Sequence, residues 1–123
     1  MNGYKSEITD VLYGDLNWRE KIQMKDCQNA MSIEGDMTFK PTKIALVHID
    51  NPYTEDGEKE YGVCVIVAEE GMYKTSSDSF ISSLRNILAE ISAAGAEDED
   101  WEIKVRAVKS KKNQGSFFTA ELI

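Results

Sequence analysis

Between residues 78 and 94 the apolar residues Phe80, Ile81, Leu84, Ile87, Leu88 and Ile91 fall at i, i+1, i+4, i+7, i+8 and i+11. That spacing puts them on one stripe of a 3.6-residue repeat, with Ser82, Ser83, Arg85, Asn86 and Glu90 on the other side. Ser76, Ser77 and Asp78 can each offer an oxygen to the free amides of a first turn, and Gly95 can take the left-handed conformation that closes a helix. A stripe this apolar has to be buried, and the segments on both sides of it read as strands. The chain must therefore lay one helix against sheet, in the order strand, strand, strand, helix, strand, strand.

The strands differ in kind. Residues 43–49 are almost continuously apolar and stop at the turn Asp50-Asn51-Pro52. A polar loop follows, with Asp56-Gly57 as its tight turn. Residues 61–68 are rich in Val and Ile, the composition of a strand covered on both faces. Past Glu70-Gly71, residues 72–75 form a short strand leading into the helix cap. Beyond the helix, residues 101–109 alternate, with Trp101, Ile103, Val105 and Ala107 on one side and Glu102, Lys104, Arg106 and Val108 on the other. Residues 111–115 have the composition of a hairpin loop, and 116–123 return as the last strand, Phe118, Ala120 and Leu122 alternating against Phe117, Thr119 and Glu121.

Ahead of these elements the signals are weaker. Residues 6–13 suggest a short helix ending at Gly14. Residues 18–26 suggest a strand with Arg19, Lys21, Gln23 and Lys25 outward and Trp18, Ile22 and Met24 inward, and 27–40 read as irregular. The expectation is one domain over residues 1–123, with 1–40 as an N-terminal extension and 41–123 as its core. A helix between the third and fourth of five strands is the order of an OB-type five-stranded β-barrel, so the expected class is mostly β.

The formal net charge is −8, and no apolar run exceeds a strand's length. The N-terminus has no apolar core of a signal peptide, so a cytoplasmic protein without membrane partners is expected. Cys27 and Cys64 stand far apart, in no pattern of a disulfide framework or thiolate site. The negative total argues against a protein that coats itself with polyanion. The charge is uneven, though: between Lys104 and Lys112 lie Lys104, Arg106, Lys109, Lys111 and Lys112 with no acid among them, whereas Glu97-Asp98-Glu99-Asp100 is wholly acidic.

Signatures of catalysis are missing. His48 and Asp50 would share a strand face, but no serine or cysteine nucleophile accompanies them at a known spacing. Gly71-Met72-Tyr73-Lys74-Thr75 ends like a phosphate loop yet lacks the first glycine. The acidic runs fall in loops and not in a converging ligand set. No enzyme, cofactor or metal is expected.

Binding a single strand needs cations along the backbone and rings on which bases stack. Lys104 and Arg106 on one strand, Lys109, Lys111 and Lys112 at the hairpin, and Phe117 beyond it supply both, and Tyr73 and Lys74 stand just before the helix. The plainer alternative is that the lysines serve solubility, that Tyr73 is a sheet residue, and that Trp18 and Trp101 are core.

The segment from residue 43 onward resembles the OB-fold single-stranded-DNA-binding proteins of phages and prophages of Gram-positive bacteria. The likeness rests on Asn51-Pro52, on Gly71-Met72-Tyr73-Lys74-Thr75-Ser76-Ser77-Asp78-Ser79-Phe80, and on Ser110-Lys111-Lys112-Asn113-Gln114-Gly115-Ser116-Phe117-Phe118-Thr119. Those proteins carry Ser-Lys-Asn followed by Gly-x-x-Phe at the last hairpin; this chain has one further lysine before Asn113. The resemblance implies non-catalytic binding of single-stranded DNA in phage or mobile-element DNA replication or recombination. A second reading is an acidic interaction module, or a DNA mimic, docking on a replication or recombination protein. The sequence leaves self-assembly into a homo-oligomer open.

Overall fold

The structure is a computed structural model that describes residues 5–27, 30–54, 57–109 and 116–123, and their side chains except those of 51–54, 57–61 and 116. One sheet is ordered β1-β4-β5-β6-β2, from β1 (Lys5–Tyr13), β4 (Pro41–Thr54), β5 (Gly57–Ala68), β6 (Gly71–Thr75) and β2 (Met31–Ser32). The second is ordered β3-β7-β8, from β3 (Thr38–Phe39), β7 (Ile103–Lys109) and β8 (Ser116–Leu122). Helices α1 (Trp18–Lys25) and α2 (Asp78–Ala93) complete the elements. Pairing is antiparallel throughout except for the short β2–β6 contact. The molecule is mostly β, as expected.

β4 and β5 are central because both of their faces are covered. Ile44, Cys64 and Ile66 join one buried cluster with Phe80, Leu84, Ile103 and Val105. Their neighbours Ala45, Val47, Ile49, Val63 and Val65 join the other, with Met24 and Cys27. The period-two alternation of a strand sends successive residues to opposite sides. Apolar residues at every position are what such a strand requires, which explains the run Val63–Ala68 in β5.

α2 buries Phe80, Leu84, Leu88 and Ile91, one stripe of the predicted helix. Ser77 is its N-cap, accepting the Phe80 N–H at 3.4 Å. Gly95 takes φ +66°, and the Ala96 N–H reaches back to the Ile91 carbonyl at 3.0 Å, which closes the helix.

The N-terminal expectations are reversed. Residues 5–13 form strand β1 and not a helix: Ile8 lies opposite Val47 and Tyr13 opposite Ile44, with register shifts at Ile8/Asp10 and Val11/Tyr13. The ladder on β4 and the β-branched Ile8 and Val11 outweigh a helical turn too short to be stable alone. Residues 18–25 form a helix and not a strand. Asn17 Oδ1 accepts the Glu20 N–H at 2.8 Å, while Glu20 Oε1 accepts the Asn17 N–H at 3.0 Å. This reciprocal cap decides the conformation. Residues 27–40, read as irregular, carry the two-residue strands β2 and β3.

A closed barrel is absent among the described residues, because no ladder joins β6 to β8. The outward backbone of β8 is taken instead by α2. Ser79 Oγ donates to the Phe118 carbonyl at 2.8 Å, and Ser83 Oγ accepts the Ala120 N–H at 2.7 Å. A helix covers the edge that a closing strand would need. Among the described residues no helix is long and apolar enough to cross a membrane.

Candidate functional site

The β7–β8 hairpin is where sequence and structure meet. Its register sets Lys104 opposite Glu121, Arg106 opposite Thr119, and Val108 opposite Phe117. All six side chains therefore stand on one face, and Thr38 of β3 adjoins Lys104 on the same side. The other face carries Ile103 and Val105, both fully buried, with Phe118 and Ala120 packed against the core. Of the adjacent pair Phe117 and Phe118, alternation sends Phe117 outward, where it is 40% exposed.

This outer face is mixed in charge. Arg106 Nη1 lies 3.3 Å from Glu121 Oε2, with both side chains substantially open to solvent. An exposed pair of this kind contributes about 0–1 kcal/mol to stability. It leaves the guanidinium on the same face as Phe117, held by one solvent-exposed carboxylate.

The remaining predicted positions are scattered. Lys109 alternates onto the opposite side of β7 from Arg106, exposed at the strand's last position. Lys111 and Lys112 lie outside the described residues, as do the hairpin loop at 111–115 and Asp56 of the expected turn at 56–57. Tyr73 and Lys74 belong to β6, in the other sheet. Tyr73 is a correction: it is only 5% exposed, its ring stacked on Phe39 at 5.2 Å and 18°, so it is a core residue and not a platform for bases. Burial, reinforced by the neighbouring Glu70, holds its hydroxyl above the ordinary tyrosine range. Lys74 is a tether, donating from Nζ to the Cys27 carbonyl at 3.1 Å and so tying β6 to the segment after α1.

His48 and Asp50 do share a face of β4, and Asp50 Oδ1 is buried without a hydrogen-bond partner. Cys64, opposite Leu46, is diagonal to His48 on that same face. Burial pushes its thiol up to about 12, Arg85 countering only in part, so the sulfur stays protonated and unreactive. Cys27 belongs to the cluster on the sheet's other side, which separates the two thiols. Among the described residues no group of three or more His, Cys, Asp or Glu could hold a metal ion.

The acidic stretch after α2 is anchored by its backbone. Tyr13 Oη donates to the Glu97 carbonyl at 2.8 Å, and Trp101 Nε1 donates to the same oxygen at 3.4 Å. The two rings meet edge to face at 5.0 Å, and Lys40 pairs with Asp100. Trp101 is core, as expected.

Trp18 is not. It stands 68% exposed at the first position of α1, with the Arg19 guanidinium 5.2 Å from its ring centre. The signal that finds it is Asn17-x-x-Glu20: once that cap is read, residue 18 belongs to a helix and faces solvent. No family model, curated protein or solved structure matches this chain.

Proposed function

We propose that the protein binds single-stranded DNA, without catalysis, through the outer face of the β7–β8 hairpin. The observation that carries this is the register that sets Arg106 and Lys104 on the same face as the exposed Phe117. Cations beside an open ring are the two requirements for holding a strand without reading its sequence. Arg106 and Lys104 contact phosphates and Phe117 stacks on a base, whereas Lys109 stands on the other face of β7 and is left out of this path. Tyr73 and Lys74 take no part.

The connectivity supports an opened OB-type arrangement for this reading. β4, β5, β6, α2, β7 and β8 follow the order strand, strand, strand, helix, strand, strand, β3 continues β4 onto β7, and β1 is an added strand. Together with the resemblance at residues 71–80 and 110–119, this favours a role in phage or mobile-element DNA replication or recombination.

The test is the fluorescence anisotropy of a labelled oligothymidylate at low and moderate salt. Binding should weaken steeply as salt rises, since each neutralised phosphate releases counterions. The double variant Arg106→Ala/Phe117→Ala should lose at least tenfold in affinity, the order expected for one base stack of about 1–3 kcal/mol. No anisotropy change at either salt removes the proposal.

A further inference from the structure

α1 displays a second surface of the same chemistry. Counted around the helix, Trp18, Ile22 and Lys25 form one stripe, with Arg19 on one flank and Lys21 on the other. Trp18 and Ile22 are 68% and 54% exposed. The only acid in the helix, Glu20, is turned inward and paired with Lys43, which with the Asn17 cap holds its carboxyl below the ordinary range. A chain with 22 acidic and 14 basic residues thus presents a face of three cations and an open indole ring, its one acid being the exposed C-cap Asp26 at the far end from Trp18.

The mount is rigid. The reciprocal Asn17–Glu20 cap fixes the helix start, Met24 is 1% exposed against the sheet, and Ser6 Oγ donates to the Lys25 carbonyl at 3.0 Å. Lys74 ties the following turn to β6. A ring held at a fixed place loses little freedom when a ligand stacks on it. Lys21 and Lys25 also line a groove of about 490 Å³ beside β1, whose acids Glu7 and Asp10 lie opposite His48 and Leu46 and so stand on the sheet face away from α1. Asp10 lies 3.6 Å from Arg85 of α2, on that opposite face.

We propose that this face of α1 is a second contact for single-stranded nucleic acid, Trp18 stacking on a base and Arg19, Lys21 and Lys25 taking phosphates. It rests on the single-strand reading of the hairpin for the class of ligand. A guanidinium already beside the indole is the arrangement that receives a base and its phosphate together. A lipid surface fits less well, because two exposed apolar side chains on eight residues offer too little to enter a bilayer. α1 packs on one face of the five-stranded sheet, while Ile103 and Val105 of the hairpin pack on the other. A strand touching both sites must therefore pass round a sheet edge.

The two tryptophans make this testable, since Trp101 is 8% exposed and Trp18 is open. Intrinsic emission should be quenched on adding a 20-nucleotide oligothymidylate, and the quench should vanish in Trp18→Phe, which keeps Trp101. Trp18→Ala should weaken binding about tenfold. Lys21→Ala/Lys25→Ala should reduce the slope of log affinity against log salt by about 1.4. Circular dichroism checks that each variant stays folded. An anisotropy rise with unquenched Trp18 overturns the α1 contact and leaves the hairpin standing. A quench that persists in Arg106→Ala/Phe117→Ala at unchanged affinity supports α1 and overturns the hairpin. Absence of binding overturns both, and a quench by phosphatidylserine vesicles without one by the oligonucleotide overturns this proposal in favour of a membrane.

Discussion

Ser83 of α2 accepts the backbone N–H of Ala120 in β8 at 2.7 Å, so a helix side chain stands where a further strand would pair. One turn earlier Ser79 donates to the Phe118 carbonyl. The final strand is held by hydroxyls along an edge that would otherwise be unpaired. Ser83→Ala should cost about 1–3 kcal/mol, the penalty of leaving a partly buried amide without a partner. Ser82→Ala, exposed on the next position, should stay within about 0.5 kcal/mol. Urea denaturation of the two variants checks this; equal midpoints would mean that the hydroxyl of Ser83 contributes nothing.

The stacked rings of Phe39 and Tyr73 come from different sheets and pin one to the other. Tyr73→Ala should destabilise by about 3–5 kcal/mol, the range for removing a buried aromatic. Tyr73→Phe should cost far less and leave oligonucleotide affinity within about twofold. A large loss of affinity in a stable Tyr73→Phe protein would place the Tyr73 hydroxyl in the binding site.

Glu121 pairs with the Arg106 guanidinium that is proposed to take a phosphate. Glu121→Gln should tighten oligonucleotide binding severalfold at low salt, the gain shrinking as salt rises. Stability should change by no more than about 0.5 kcal/mol, because the pair is open to solvent. Anisotropy titrations of the variant at two salt concentrations decide it, and unchanged affinity would take Arg106 out of the interface.

Titration bounds the stable range from both ends. The Cys64 thiol is raised from 9.0 to about 12 on folding. A group raised in the folded state ionises first in the unfolded chain. Its contribution is therefore intact below pH 9 and lost as pH climbs from 9 towards 12. Tyr73, also raised, adds to the loss above pH 10. Glu20 acts in the opposite sense: its pKa is lowered chiefly by its hydrogen bond to Lys43, so its contribution is present above about 4.5 and lost as pH falls through the folded value. Urea midpoints across pH should fall less steeply above pH 9 in Cys64→Ala, and less steeply below 4.5 in Glu20→Gln, than in the parent chain. Parallel curves would refute the assignment.

The elements legible in the sequence were those whose own residues decide them. α2 could be read because Phe80, Leu84, Leu88 and Ile91 keep a helical period between a serine cap and a glycine stop. β5 and β7 could be read because runs and alternation of Val and Ile have few other uses. The N-terminal elements misled for the opposite reason. Ile8, Val11 and Leu12 suit a helix almost as well as a strand, and the deciding partner, β4, lies more than 30 residues away. In α1 the alternation of apolar and basic residues imitates a strand, while the cap written at Asn17 and Glu20 specifies a helix. At the candidate site the outward turn of Phe117 followed from alternation. The burial of Tyr73 depended on Phe39, which no local pattern connects to it.

β4 and β5 serve as a wall shared by two rooms, so neither room can be emptied alone. A chain shortened to begin at residue 34 would strip Ala45, Val47, Ile49, Val63 and Val65 of Met24 and Cys27. It would present a bare, greasy plane to water, and should leave a larger insoluble fraction on expression than the full chain. What looked like a leading appendage is thus half of the shelter that keeps the sheet dispersed.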